Sequence, residues 1–416
     1  MTGSQLDEGT RASVRTMKRP VVAGVTVLSL VVLVSLGVLV VGASPGSPAT
    51  GAVLRAAAKS GDPQAQASSS AATEAPQAPT PIPTPSPSPT PILVPAPLTG
   101  RLVSPEVAAR RPIAVMVDDQ SGARPQSGFT SASVVWQAPA EGGIPRYMLV
   151  FQDQLPNDVG PVRSARYYYI AWAAEWHSVY AHVGGSPQAI GTLASQGQGQ
   201  LVYNADEFRW GGIYFRRITT RPSPHNAYSD GKSLRKMATR IGAKDELQPA
   251  AWQFAPDAPL AARPYGGLIR VVYPANTITY RYDRVTNTYL RGVTGAPAQT
   301  DASNGQRVAP SNVVVMLMSF GPLNDGHPNK KRLEAKVLGS GEAWIATNGS
   351  TIHGTWKKDS LTAPTRFFDA AGAPVTLTAG QTFIQVMPLG SKITIKDGSA
   401  TPPSPVGSPT PSPSPS

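Results

Sequence analysis

Between residues 124 and 226 the chain concentrates side chains able to hold an anion or move a proton. They are Arg124, Arg146, Arg163, Arg166 and Arg216, with Glu141, His182, His225 and Asn226 among them. A guanidinium is a planar fork of donors that grips a carboxylate or phosphate through two hydrogen bonds. An imidazole near a carboxylate supplies acid–base chemistry, so His182 or His225 with Glu141 is the candidate catalytic set. The stretch GPVRSARYYY (Gly160–Tyr169) places two arginines ahead of a run of tyrosines. Read as a helix start, it sets Arg163 and Arg166 on one face, at the end whose dipole disfavours positive charge. A nearby carboxylate or a bound anion has to compensate them. Gly184, Gly185 and Ser186 would add free backbone N–H groups at the start of a second helix, with Ser186 as N-cap and Pro187 as first helical residue. Taken alone, that stretch reads as an ordinary strand–turn–helix junction.

Spacing removes several other chemistries. Ser186 fails the G-x-S-x-G nucleophile pattern because residue 188 is Gln188. No HxH or HExxH spacing joins His182 and His225 to Asp118 or Glu141, so neither a metal nor a cofactor is expected. The chain has no cysteine, which excludes disulfides, thiolate metal sites, Cys nucleophiles and a lipidated N-terminal Cys. Asp118 and Asp119 are neighbours at a strand end and face opposite ways, which fits a loop or Asx-turn role better than paired catalysis. Arg216 and Arg217 alternate likewise on a strand over Tyr214–Ile218, so only one of them lines any given pocket.

The elements that must position these groups follow from hydrophobic period. PIAVMVDD (Pro112–Asp119) is a short apolar run ending in carboxylates, a buried strand opening into a loop. SVVWQAP and PRYMLVFQD give two more strands. Tyr168, Trp172, Glu175, Trp176 and Val179 keep a 3/4 spacing that predicts a helix over Ser164–Tyr180, its aromatic stripe facing a core. From Arg263 onward short strands follow one another, and Asn348-Gly349 marks a type I′ hairpin between two of them. The fold class expected is α+β, a mixed α/β region over 112–250 followed by a mostly-β region over 262–397.

The rest of the chain is not domain-like. Val21–Val41 carries no charge; at about 1.5 Å per residue it just crosses a hydrocarbon core of about 30 Å. Arg11, Arg15, Lys18 and Arg19 precede it, so residues 1–20 are expected in the cytoplasm, 21–43 as a single-pass anchor and the remainder outside the cell membrane. The competing reading is a signal peptide cleaved after Ala43, whose apolar core would be unusually long. Residues 44–100 and 398–416 are dense in proline, holding 20 of the 43, with Ser and Thr between them, the composition of an extended spacer and a disordered tail. Residues 101–400 carry 31 basic and 21 acidic side chains, a balance that favours anionic partners. The basic run NKKRLEAK (Asn329–Lys336) is a solvated face or a docking surface. No helix-turn-helix, zinc-finger or RRM pattern is present, which disfavours nucleic acid.

Several blocks, in order, resemble the bacterial YerB-like family, whose halves are a DUF3048 N-terminal and C-terminal pair. They are PIAVMVDD, ARPQSG, EGGIPRYMLVFQ, GPVRSARYY, HVGGSPQA and RRITTRPSPHNAY, then GSGEAWIATNGSTIHGTW and FFDAAGAPVTLTAGQTFIQV. The resemblance implies an extracytoplasmic, membrane-attached protein and assigns no catalytic role to any residue. Many members are lipoproteins held through a cysteine; this chain has none, so a transmembrane helix would have to substitute. The leading expectation is a binding module in which Arg124, Arg146, Arg163, Arg166, Gly184, Gly185, Ser186, Arg216 and Asn226 receive an anionic cell-wall polymer or an acidic protein partner. One alternative is an envelope hydrolase or transferase using His182 or His225 with Glu141. The other is a structural protein whose arginines form internal salt bridges.

Overall fold

A computed structural model of the chain describes residues 91–402. The apolar stretch Val21–Val41, most of the proline-rich spacer and the end of the tail lie outside the described residues. Among the described residues no helix is long and apolar enough to cross a membrane.

Strands dominate, and helices are few and short. In the first half the strands of four or more residues are β1 (Ile113–Asp118), β2 (Val134–Pro139), β3 (Pro145–Phe151), β4 (Val179–His182) and β5 (Tyr203–Asp206). The second half adds β6 (Leu268–Val272), β7 (Thr277–Asp283), β8 (Thr288–Val293), β9 (Asn312–Met318), β10 (Gly339–Thr347), β11 (Ser350–Lys358), β12 (Arg366–Asp369), β13 (Thr382–Pro388) and β14 (Ile393–Lys396). Ten of them form one sheet in the order β12-β11-β10-β9-β13-β2-β3-β1-β4-β5. The two halves of the sequence therefore share a sheet. They join where β13 lies parallel to β2, with Thr382 beside Val134 and Gln385 beside Gln137.

The near-continuous apolar runs of β1, β2 and β9 are explained by burial on both faces. Alternation sorts each run: Ala114, Met116, Val134 and Trp136 enter one core, while Ile113, Val115, Val117 and Val135 enter the other. The first core is closed by helix α1 (Tyr167–Ala173), whose Trp172 stacks on Trp136 with ring centroids 4.7 Å apart. The second is covered by a four-stranded sheet, β8-β7-β6-β14, through residues such as Ile269, Val271, Ile278 and Tyr280. Helices α2 (Pro187–Gln196) and α3 (Gly231–Arg240) pack at the end that carries β4 and β5.

Three boundaries differ from the sequence reading. The helix expected over Ser164–Tyr180 is confined to Tyr167–Ala173 and a short 3-10 turn, Ala174–Trp176. Its ends are claimed by β pairing. Arg166 is extended, Arg163 N–H donates to Met116 C=O, Ala165 N–H donates to Gly184 C=O, and Val179 already lies opposite Ile113 in the sheet. Arg163 and Arg166 thus do not share a helical turn. The folded part also begins before residue 101: Val94–Pro95 pairs with Leu102–Val103, and Leu98 and Thr99 are buried. The strand expected over Tyr214–Ile218 is reduced to Arg216–Arg217. The hairpin at Asn348-Gly349 is as expected, with positive φ at both residues and Thr347 facing Ser350.

Candidate functional site

A cleft of about 310 Å³ opens at the end of β1, where Asp118 stands opposite Arg146 of β3. Asp118, Glu141, Arg146 and Arg163 line it from the first half of the chain. Asn329, Lys330 and Lys331 line it from the second.

Glu141, on the turn between β2 and β3, sits between two arginines. Arg146 donates to its Oε2 at 3.3 Å and to the Ser164 carbonyl at 2.8 Å, and Arg166 pairs with its Oε1. Burial pushes the Arg166 guanidinium pKa down, and nearby Tyr168 opposes that shift. Arg163 is placed differently. Its Nε lies 3.0 Å from Asp118 Oδ2 without the geometry of a hydrogen bond, and its two terminal amino groups make no hydrogen bond to another described residue. Burial lowers its pKa too, with Asp118 opposing and Arg146 adding to the shift. Lys330 and Lys331 are exposed and form no ion pair among the described residues. Four cationic side chains, Arg146, Arg163, Lys330 and Lys331, thus line the cleft against two carboxylates, Asp118 and Glu141. By Coulomb's law that leaves the cleft attractive to an anion.

The remaining candidates lie elsewhere. Arg124 turns away from the cleft and donates to Asp119 Oδ1 at 3.0 Å and to Asn276 Oδ1 at 2.8 Å. Burial raises the Asp119 pKa, against the pull of Arg124 and Arg291. Asp118 and Asp119 do face opposite ways, and Asp118 Oδ1 closes an Asx turn on Gln120 N–H at 3.0 Å. Ser186 is the N-cap of α2, its Oγ accepting from Ala189 N–H at 3.3 Å, and Pro187 is the first helical residue. The Gly184 N–H donates to the Asp206 carboxylate at 3.0 Å, so the anion at this turn is part of the protein; Gly185 lies beside Ala165. Arg216 reaches Asp158 at 2.6 Å, and Arg217 reaches Glu207 and Asn226, so the two neighbours serve different partners. His182 is fully buried, with Nδ1 2.8 Å from Gly184 C=O and Nε2 2.8 Å from Asn204 Oδ1. His225 Nδ1 lies 2.7 Å from Asp118 Oδ2, so its carboxylate partner is Asp118 and not Glu141. Among the described residues no group of three or more His, Asp or Glu is placed to hold a metal.

Of the sequence-expected set, the cleft unites Glu141, Arg146 and Arg163, with Arg166 bound behind Glu141. Lys330 and Lys331 were not in that set. Their one signal in the sequence is the basic run that begins at Asn329.

The same region is where known proteins match. The model of a family described as protein of unknown function (DUF3048), N-terminal domain, matches residues 98–244, and that of its C-terminal domain matches residues 269–384. A Bacillus subtilis (strain 168) protein named "Putative lipoprotein YerB" is 33% identical over 301 residues, 70% of this chain and 86% of its own. The crystal structure of the YerB protein from Bacillus subtilis superposes with a TM-score of 0.64 at 29% identity, covering 72% of this chain and 99% of that one.

Proposed function

The chain belongs to the DUF3048 family, and from that premise we propose that it is a membrane-attached extracytoplasmic protein that binds an anionic cell-envelope polymer in the Arg163 cleft. Its Bacillus relative carries the word lipoprotein in its name. This chain has no cysteine to acylate, so the charge-free stretch Val21–Val41 takes the anchoring role in this reading, with the proline-rich segment as spacer. The observation that carries the ligand class is the Arg163 guanidinium. Its terminal amino groups, with the ammonium groups of Lys330 and Lys331, are cationic donors at the cleft that the fold leaves unused. A phosphate or carboxylate repeated along a polymer would engage them together.

A second reading is favoured by the ion pairs themselves. Arg124, Arg146, Arg166 and Arg216 each have a carboxylate partner, as Arg163 has in Asp118, and in this reading such pairs hold the fold. The two readings meet at Arg163, and one experiment separates them. The detergent-solubilised full chain is mixed with immobilised polyphosphate and with purified wall polymer at low and raised salt. The pair Lys330→Gln/Lys331→Gln is expected to lose binding about tenfold or more with little change in the unfolding midpoint. Arg163→Gln is expected to lose binding as much while also lowering the midpoint, because it leaves the buried Asp118 carboxylate without its guanidinium. Arg166→Gln is expected to lower the midpoint. A wild-type chain that retains neither polyanion, or an Arg163→Gln chain that binds as wild type does, would overturn the cleft as the binding site.

A further inference from the structure

Anion binding leaves one feature of the cleft unused. The Asp118 oxygen that Arg163 Nε approaches at 3.0 Å is also 2.7 Å from His225 Nδ1, and the other oxygen accepts from Gln120 N–H. This carboxylate is buried, 2% exposed at its side chain. A buried carboxylate accepting from Nδ1–H fixes the imidazole in the tautomer whose Nε2 carries the lone pair. Nε2 of His225 has no hydrogen-bond partner among the described residues and is not sealed from solvent. The loop that carries His225 is fastened to the turn after β1. Arg221 of that loop donates to the carbonyls of Ala123 and Pro125, and the ring lies against Gly122, where a Cβ would stand 3.6 Å from Nε2. An oriented base and a cationic donor thus meet at one buried carboxylate. Asp118 and Arg163 line the cleft with two further cations, and His225 stands behind Asp118, outside the lining itself.

We propose that this cleft hydrolyses phosphodiesters, with His225 as the proton-transferring group and Asp118 as the residue that positions it. The proposal rests on the anion-binding reading above, and it narrows the ligand to one whose reacting centre keeps a negative charge. Arg163 holds the two non-bridging oxygens of the diester, as a fork suits two oxygens of one phosphate. His225 Nε2 takes a proton from water as the water oxygen bonds to phosphorus, and the bond from phosphorus to one bridging oxygen breaks. The imidazolium returns that proton to the departing alkoxide. The products are a phosphomonoester and an alcohol, no electrons change hands, and Asp118 stays ionised throughout. Arg163 and the lysines act on the charge that builds on the phosphoryl oxygens.

The test uses the detergent-solubilised full chain and bis(4-nitrophenyl) phosphate. Wild type is expected to release nitrophenol above the buffer rate. His225→Ala is expected to lower the rate about 100-fold or more, the scale of a lost general base, and free imidazole to restore part of it. A merely structural histidine would give no such rescue. His225→Gln, which can keep a hydrogen bond to Asp118, is expected to be as inactive as His225→Ala while unfolding at the wild-type midpoint. Retention of polyphosphate by both variants would confirm that the base and the anion site are separable. Wild type that retains polyphosphate but releases no nitrophenol, or His225→Gln that turns over at the wild-type rate, overturns the hydrolase and leaves the binding reading standing. Wild type that retains no polyphosphate overturns the binding reading and the hydrolase with it.

Discussion

Glu175 and Lys358 meet at 3.0 Å with both side chains fully buried, and Thr365 adds a second donor to the same carboxylate oxygen at 2.6 Å. Glu175 Oε2 has no partner, so its only compensation is gathered on one side. Removing one member of such a pair strands the other charge in the core. Glu175→Ala is expected to cost about 3–5 kcal/mol, read as a lower midpoint in urea, whereas the double variant Glu175→Met/Lys358→Met recovers most of it. A single variant within about 0.5 kcal/mol of wild type would show that the pair carries no such burden. The sequence placed Glu175 correctly on the aromatic stripe but gave no sign of its partner 183 residues on. The same holds at the cleft. The charges of Arg163, Glu141 and His225 are visible in the sequence, whereas the pairing of His225 with Asp118 and not Glu141 depends on a contact between loops more than a hundred residues apart.

At the scale of elements, α1 shows how local periodicity and pairing compete. Its 3/4 spacing is real, and Tyr168, Trp172, Glu175 and Trp176 are buried, but so is every residue from Tyr168 to Trp176, so the helix is covered on all sides. The spacing marks a helix, but it cannot fix the ends, because the flanking residues pair with β1 and with the Gly184 turn. The buried tyrosines also set an alkaline limit. Burial raises the Tyr168 phenol from 10.0 to about 12, and burial raises Tyr169 further still. The folded state holds these protons more tightly than the unfolded chain does. Their contribution to stability is therefore complete below pH 10 and is lost as pH rises from 10 towards 12. Urea midpoints are expected to fall across that window, and the fall is expected to be shallower in Tyr168→Phe. An equal slope in both proteins would place the alkaline limit elsewhere.

The whole molecule is organised by the seam between β2 and β13. Arg291 of β8 is fully buried there and donates to Gln137 Oε1 of β2 at 2.7 Å, to the Tyr147 hydroxyl of β3 at 3.1 Å and to the Tyr280 hydroxyl of β7 at 3.0 Å. A separated half would leave a sheet edge and this polar network open. Fragments 91–250 and 262–402 are accordingly expected to be unfolded or aggregated alone, and the intact chain to unfold in one calorimetric transition. Two resolved transitions, or a soluble and folded fragment, would contradict that. The sequence by itself determined most of the longer strands, the hairpin at Asn348-Gly349, the capped start of α2 and the excess of cations, because period, turn chemistry and charge are local properties. It did not mark Tyr203–Asp206, Arg366–Asp369 or Ile393–Lys396. Only the tertiary structure decided that the two halves share one sheet, which arginines already have carboxylate partners, and that Arg163 meets Lys330 and Lys331 at one cleft. Those are outcomes of long-range pairing, in which each group takes the partner that the closed sheet brings within reach. No spacing along the chain encodes that choice.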